Sequence, residues 1–190
     1  MVPITNITGR LGNQMFETAF LYAWARDNGM PLVDDGLGYY YQDPAHFEKY
    51  SEEIKKLFGA NIVPNEYVGI HIRRGDYVGH PFYVDLVKTD YDQKAMAEFP
   101  EDTKFILFSD DPAWCSENIF FKSPVEVSLD VDELEDFNWM TGCKGLIIAN
   151  SSYSWWAGYL NKGKVVAPST KNWHPDGVER TKCPEHWIRI

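Results

Sequence analysis

Residues 67–77 read Tyr67-Val68-Gly69-Ile70-His71-Ile72-Arg73-Arg74-Gly75-Asp76-Tyr77, an apolar run that breaks off into two arginines, a glycine and an aspartate. A short apolar run bounded by polar turn residues is the pattern of a strand buried on both faces of a parallel sheet. The pattern recurs downstream. Residues 105–109 read as a strand followed by Asp110-Asp111, residues 125–129 as another, residues 146–149 as one followed by Asn150-Ser151-Ser152-Tyr153-Ser154, and residues 164–167 as a final strand. Between them lie helical segments over 91–99, 112–118, 131–142 and 154–161. Asp130 stands where it would cap the third of these, with Glu133 in its first turn. Strands separated by helices predict an α/β protein with a doubly wound parallel sheet of Rossmann type.

Upstream, Met15, Phe16, Ala19, Phe20, Ala23 and Trp24 recur at helical spacing over residues 13–27, and Gly29 and Pro31 stop that helix. Residues 31–34 begin a short strand, residues 45–58 form an amphipathic helix, and residues 61–66 are a polar break around Pro64. The expected division is a reduced N-terminal portion over 1–65 and a Rossmann-type portion over 66–190.

The 190-residue chain is 44% hydrophobic and 15% aromatic, which fits a folded globule. Its seven Trp and eleven Tyr are read first as core, although aromatics also line sugar sites. A net charge of -10 without a basic run argues against nucleic acid and still allows a small anion held by a few local arginines. The three cysteines, at 115, 143 and 183, are odd in number and form no CxxC pair, so neither a zinc site nor a disulfide framework is expected. No stretch approaches the length of a membrane span and no basic-then-apolar leader opens the chain, so the expectation is a cytoplasmic protein. The sequons Asn6-Ile7-Thr8 and Asn150-Ser151-Ser152 fall in or beside candidate site segments, where a glycan would obstruct, and this favours the same compartment.

Ligands of open parallel sheets sit beyond the carboxyl ends of the strands, so the residues after each strand are the candidates. Arg73 and Arg74 suit a diphosphate, which a guanidinium holds bidentately; the alternative is a salt bridge to Asp76 or another carboxylate. Arg74-Gly75-Asp76 also spells an adhesion triplet, but a strand-end position suits a site better. Ser151, Ser152 and Ser154 offer hydroxyls and backbone N–H groups to an anion, while Ser154 can equally be an N-cap. Trp155 and Trp156 then anchor the helix in the core. Asp110 and Asp111 can accept from a guanine edge, bind a divalent metal, or cap the helix beginning at Pro112. Capping is the simplest reading for one of them, and a metal lacks a His or third carboxylate at ligand spacing. Gly9-Arg10-Leu11-Gly12-Asn13-Gln14 is neither a GxGxxG fingerprint nor a P-loop, but its two glycines let backbone approach a ligand; an ordinary helix start is the alternative.

Together these segments resemble glycosyltransferase family 11, the alpha-1,2-fucosyltransferases, and more distantly the alpha-1,6- and protein O-fucosyltransferases. The matching pieces run in the family's order: residues 9–16, the His71-Ile72-Arg73-Arg74-Gly75-Asp76-Tyr77 block, residues 108–114 and residues 150–157, with a weaker match at Val166-Ala167-Pro168 and Trp173. The resemblance implies a GT-B-like fold, GDP-fucose as donor, a glycan acceptor, inversion at the anomeric carbon and no metal or other cofactor. It implies Arg73 at the β-phosphate, His71 and Asp110 or Asp111 at the guanosine, Ser154 and the Trp155 backbone at the phosphates, and Gly12 and Asn13 closing the donor site. Family members carry a longer segment before the His-x-Arg-Arg block than the 70 residues here, so the acceptor side is expected to be reduced. Asp76 is the nearest motif carboxylate for a general base, with His80 beyond it. Alternatively Asp76 orients an arginine and no strong base is needed. A non-catalytic GDP-sugar or glycan-binding module is the competing reading. A nicotinamide-dependent oxidoreductase is disfavoured by the missing GxGxxG.

Overall fold

The computed structural model describes residues 7–29, 40–129 and 132–190. The strand expected at 31–34, Asn6 and the capping residue expected at Asp130 lie outside the described residues.

Among the described residues, six strands form one parallel sheet: β1 Val68–Ile72, β2 Phe105–Ser109, β3 Val125–Val127, β4 Gly145–Ile147, β5 Lys164–Ala167 and β6 Ile188–Arg189, in the spatial order β3-β2-β1-β4-β5-β6. Around them lie helices α1 Leu11–Asn28, α2 Ser51–Phe58, α3 Tyr91–Met96, α4 Pro112–Asn118, α5 Glu133–Thr141, α6 Ser152–Leu160 and α7 Thr170–Trp173. Alternation along the strands divides the core. Ile106, Phe108, Leu146, Val165 and Ala167 pack with residues of α1, α2, α5 and α6. Val68, Ile70, Ile72, Leu107, Ile147 and Val166 pack on the opposite face with Tyr91, Ala95 and Met96 of α3 and Cys115 of α4. Helices therefore cover both faces, as the sequence pattern predicts for a doubly wound sheet.

β6 is not among the strands that the sequence pattern predicts. β6 pairs with β5 through Ile190 N donating to Ala167 O at 3.0 Å, and two paired residues are too few to carry an alternation signal. The helix expected over 45–58 is interrupted. Asp43 caps a 3₁₀ turn over Pro44–His46, a second turn follows at Glu48–Tyr50, and only then does α2 begin. Between the two turns Phe47 is almost fully buried, its ring 6.1 Å from Phe16 and 5.5 Å from Trp156. Burying that ring overrides the local helical period. α5 is capped by Asp132, whose carboxylate accepts from Leu134 N and Glu135 N at 2.9 and 3.0 Å.

α1 closes on a left-handed Gly29, as expected, and packs across α6. Phe16 lies 4.5 Å from Trp155 and 5.0 Å from Trp156, all three buried. The helices approach so closely that a Cβ at Gly12 would overlap the Ser152–Tyr153 peptide and lie 2.7 Å from Ser152 O. No helix among the described residues is long and apolar enough to cross a membrane.

Backbone, unlike a flexible side chain, cannot yield to that methyl. Gly12→Ala is therefore expected to force α1 from α6 and lower stability by about 1–3 kcal/mol, read as an earlier urea midpoint. An unchanged midpoint would show that the two helices do not meet in this way.

Candidate functional site

The chain runs outward through β1, β2 and β3, returns to place β4 beside β1, and then proceeds through β5 and β6. The boundary between β1 and β4 is thus the switch point at which open parallel sheets bind ligands. A cavity of about 720 Å³ opens there, on the face covered by α1, α5 and α6. Arg10 and Gln14 enter it from the start of α1, His71 and Arg73 from the end of β1, and Asp110 from the turn after β2. Glu133 and Asp136 of α5 and Tyr153 of α6 complete the wall.

Arg73 is held by two carboxylates. Its Nη2 donates to Asp76 Oδ1 at 2.5 Å and its Nη1 pairs with Asp110 Oδ2 at 2.9 Å, while the side chain is only one-tenth exposed. The other oxygen of Asp110 accepts from the backbone N of Arg74 at 2.8 Å, so one carboxylate fixes both the turn and the guanidinium. Gly75 is required beside it, because a Cβ there would collide with Asp110 Oδ2. Desolvation pushes the Asp76 carboxyl upward, but the hydrogen bond and charge of Arg73, with the charge of Arg10 added, hold it below the usual carboxylate range.

His71 is buried, 5.4 Å from the ring of Tyr153, and its Nδ1 has no partner among the described residues. Burial first, and the Arg73 charge second, drive its pKa from 6.5 to about 3. The imidazole is therefore neutral at ordinary pH and offers a ligand a hydrogen bond, not a charge.

The cavity thus gathers Arg10, His71, Arg73 and Asp110. Gly9, Gly12, Asn13, Ser151 and Ser152 are not among its lining residues. Asn13 Oδ1 accepts from Ser152 Oγ at 2.9 Å and from Gln42 Nε2 at 2.8 Å, and Gly9 O accepts from Gln14 Nε2. Three expected side chains, those of Arg74, Asp111 and Ser154, point elsewhere. The guanidinium of Arg74 lies 3.3 Å over the ring of Trp114. Asp111 caps α4 by accepting from Trp114 N at 3.3 Å. Ser154 is no N-cap: it lies inside α6, fully buried, its hydroxyl donating back to Ser151 O and Ala149 O, and Ser151 holds the cap position. The Trp155 side chain sits in the core, as expected, its Nε1 donating to Lys182 O. Sequence reasoning missed Gln14, Asp136, Tyr153 and the site role of Glu133. The signal was present: α5 also starts at the carboxyl edge, and its first turn carries Glu133, Glu135 and Asp136.

A parallel sheet of this order, with a partly basic cavity at its switch point, defines a Rossmann-type ligand-binding α/β protein. Residues 39–190 match the family model described as Glycosyl transferase family 11, and the chain belongs to that family of glycosyltransferases. It is 35% identical over 134 residues to the O-antigen biosynthesis glycosyltransferase WbnK of Escherichia coli, covering 64% of this chain and 43% of that protein. It is 28% identical over 182 residues to an alpha-1,2-colitosyltransferase of Escherichia coli, covering 80% and 61% respectively. Galactoside 2-alpha-L-fucosyltransferase SEC1 of Bos taurus is 34% identical over 113 residues, 54% of this chain and 31% of that protein. The chain spans about half the length of the two bacterial relatives, and less of the bovine one. The family expected from the four motif blocks is borne out.

A pKa depressed from 6.5 to about 3 means that the unfolded chain takes up the proton first as pH falls. The stability associated with neutral His71 is therefore whole above pH 6.5 and lost progressively toward pH 3. At pH 5 the loss amounts to about 2 kcal/mol. His71→Gln is expected to flatten this part of the profile, measured by urea unfolding of both proteins at about pH 7.5 and pH 5. Parallel profiles would contradict it.

Proposed function

We propose that this chain transfers fucose from GDP-fucose to a hydroxyl of a galactoside, with inversion and without a metal ion. The observation that carries the reading is the Arg73 guanidinium, fixed by Asp76 and Asp110 at the wall of the switch-point cavity. In this reading the acceptor oxygen attacks the anomeric carbon, the bond to the β-phosphate oxygen breaks, and the departing diphosphate meets Arg73, with Arg10 across the cavity. A donor already held in place by carboxylates needs no reorganisation as charge develops, which is the condition for strong electrostatic stabilisation. Asp76 positions Arg73; a carboxylate held below its ordinary range is a poor base, so the acceptor proton leaves late in the reaction. Both oxygens of Asp110 are engaged by Arg73 and Arg74, and Asp136 accepts from the Ser128 hydroxyl, so the guanine edge is assigned to Glu133 at the cavity wall. Relatives named for alpha-1,2-colitosyl and galactoside alpha-1,2-fucosyl transfer support a deoxysugar donor and a galactoside acceptor.

The test is GDP release from GDP-fucose by the purified protein, with and without lactose. Lactose-dependent turnover is expected, and Arg73→Ala should lower kcat by about 10²–10³. Arg73→Lys should not restore it, because a point charge cannot replace the forked contact to Asp76 and Asp110. Near-normal turnover by a folded Arg73→Ala protein would end the assignment of Arg73. GDP-fucose affinity without turnover would make the chain a binding module.

A further inference from the structure

β1 ends in two consecutive arginines whose side chains reach different cavities. Arg73 enters the cavity described above. Arg74 enters a second one, of about 530 Å³, lying between α3 and α4 on the other face of the sheet. The two cavities share no lining residue.

Two buried polar groups in the second cavity lack the partners that such groups ordinarily have. Arg74 is 8% exposed, its Nε has no hydrogen-bond partner, and its nearest carboxylate oxygen, Asp85 Oδ1, is 3.9 Å away. Asp92 is 9% exposed and makes no hydrogen bond or ion pair with any described residue. Burial pushes its carboxyl up to about 7. The two groups do not pair with each other. What they share is the cavity that both line.

The rest of the lining narrows what fills it. Phe120 stands at the wall, 82% exposed, with Phe121 also lining it, while the Trp114 ring is stacked under Arg74, so aromatic surface adjoins the Arg74 Nε and the Asp92 carboxyl. Its charged groups balance, Arg74 and Lys88 against Asp85 and Asp92, with Asp85 already paired to both cations, so the lining favours no net charge on a ligand. A wholly apolar ligand would leave the Arg74 Nε and the Asp92 carboxyl buried without hydrogen bonds, which is costly. A sugar satisfies both demands, because its hydroxyls donate to carboxylates and accept from a guanidinium while its C–H faces lie on aromatic rings. The volume falls within the usual range of about 300–1,000 Å³ for small-ligand sites. We propose that the cavity between α3 and α4 is a binding site for a neutral oligosaccharide, separate from the cavity of Arg73. It goes beyond the donor assignment and does not depend on it.

The test is a titration of the isotope-labelled protein with lactose, with maltotriose and, separately, with GDP, followed by amide chemical shifts. Lactose or maltotriose is expected to move resonances of residues 92–93 and 114–121 with a dissociation constant of roughly 1 mM, while GDP moves those around Arg73. Phe120→Ala, which removes an exposed ring, and Asp92→Asn should each weaken the sugar response about five-fold or more and leave the GDP response unchanged. The proposal is overturned if neither sugar moves these resonances, if GDP is what moves them, or if both variants respond as the parent does. Failure of the donor assignment would appear instead as an absent GDP response around Arg73.

Discussion

Asp110 is the constraint around which the site is built. One of its oxygens holds the backbone of Arg74 and the other holds the side chain of Arg73, so a single carboxylate after β2 sets the shape of the turn after β1 and the direction of the cation beside it. The turn has room for this only because residue 75 has no side chain. The parallel register that places His71 opposite Phe108 and Ile72 opposite Ser109 delivers Asp110 to that position. Sheet register, turn geometry and charge placement are thus one arrangement. A guanidinium bound this firmly to protein carboxylates is oriented before any ligand arrives, and its orientation survives ligand departure.

Much of this was legible before any coordinates. The strands announced themselves through short apolar runs, and β2, α4 and β5 fall where the pattern put them. The family followed from four motif blocks in order. What could not be read was direction. Arg73 and Arg74 look equivalent in sequence, as do Asp110 and Asp111, yet in each pair one member lines the Arg73 cavity and the other packs elsewhere or caps a helix. Alternation about a strand end separates such neighbours, but the turn that follows breaks the alternation, and only the fold says which neighbour wins. The break at Phe47 was hidden for a similar reason, since the ring's partners Phe16 and Trp156 are remote in sequence.

The N-terminal helices belong to the same packing as the sheet. Phe16, Phe47 and Ile54 are buried with Trp155 and Trp156, and hydrogen bonds tie the segment further. Gln42 donates to Asn13, accepts from the Thr181 hydroxyl, and its carbonyl accepts from Lys182 N at 2.9 Å. The start of α1, the strap at residues 40–43 and the segment at 181–182 therefore hold one another around the entrance to α6. Since Arg10 and Gln14 sit on the same helix, the order of the cavity mouth depends on contacts made far along the chain.

The two ends of the sheet have a bearing on how the molecule behaves among copies of itself. An outermost strand displays unpaired N–H and C=O groups, and a long flat one invites another chain to add to it. Among the described residues the outer strands offer three residues at β3 and two at β6, and Arg189 on the latter is bound to Glu179 and to Pro168 O. Such a stub gives an incoming strand almost nothing to register against, so a sheet this apolar along its middle is kept from growing sideways into a fibre.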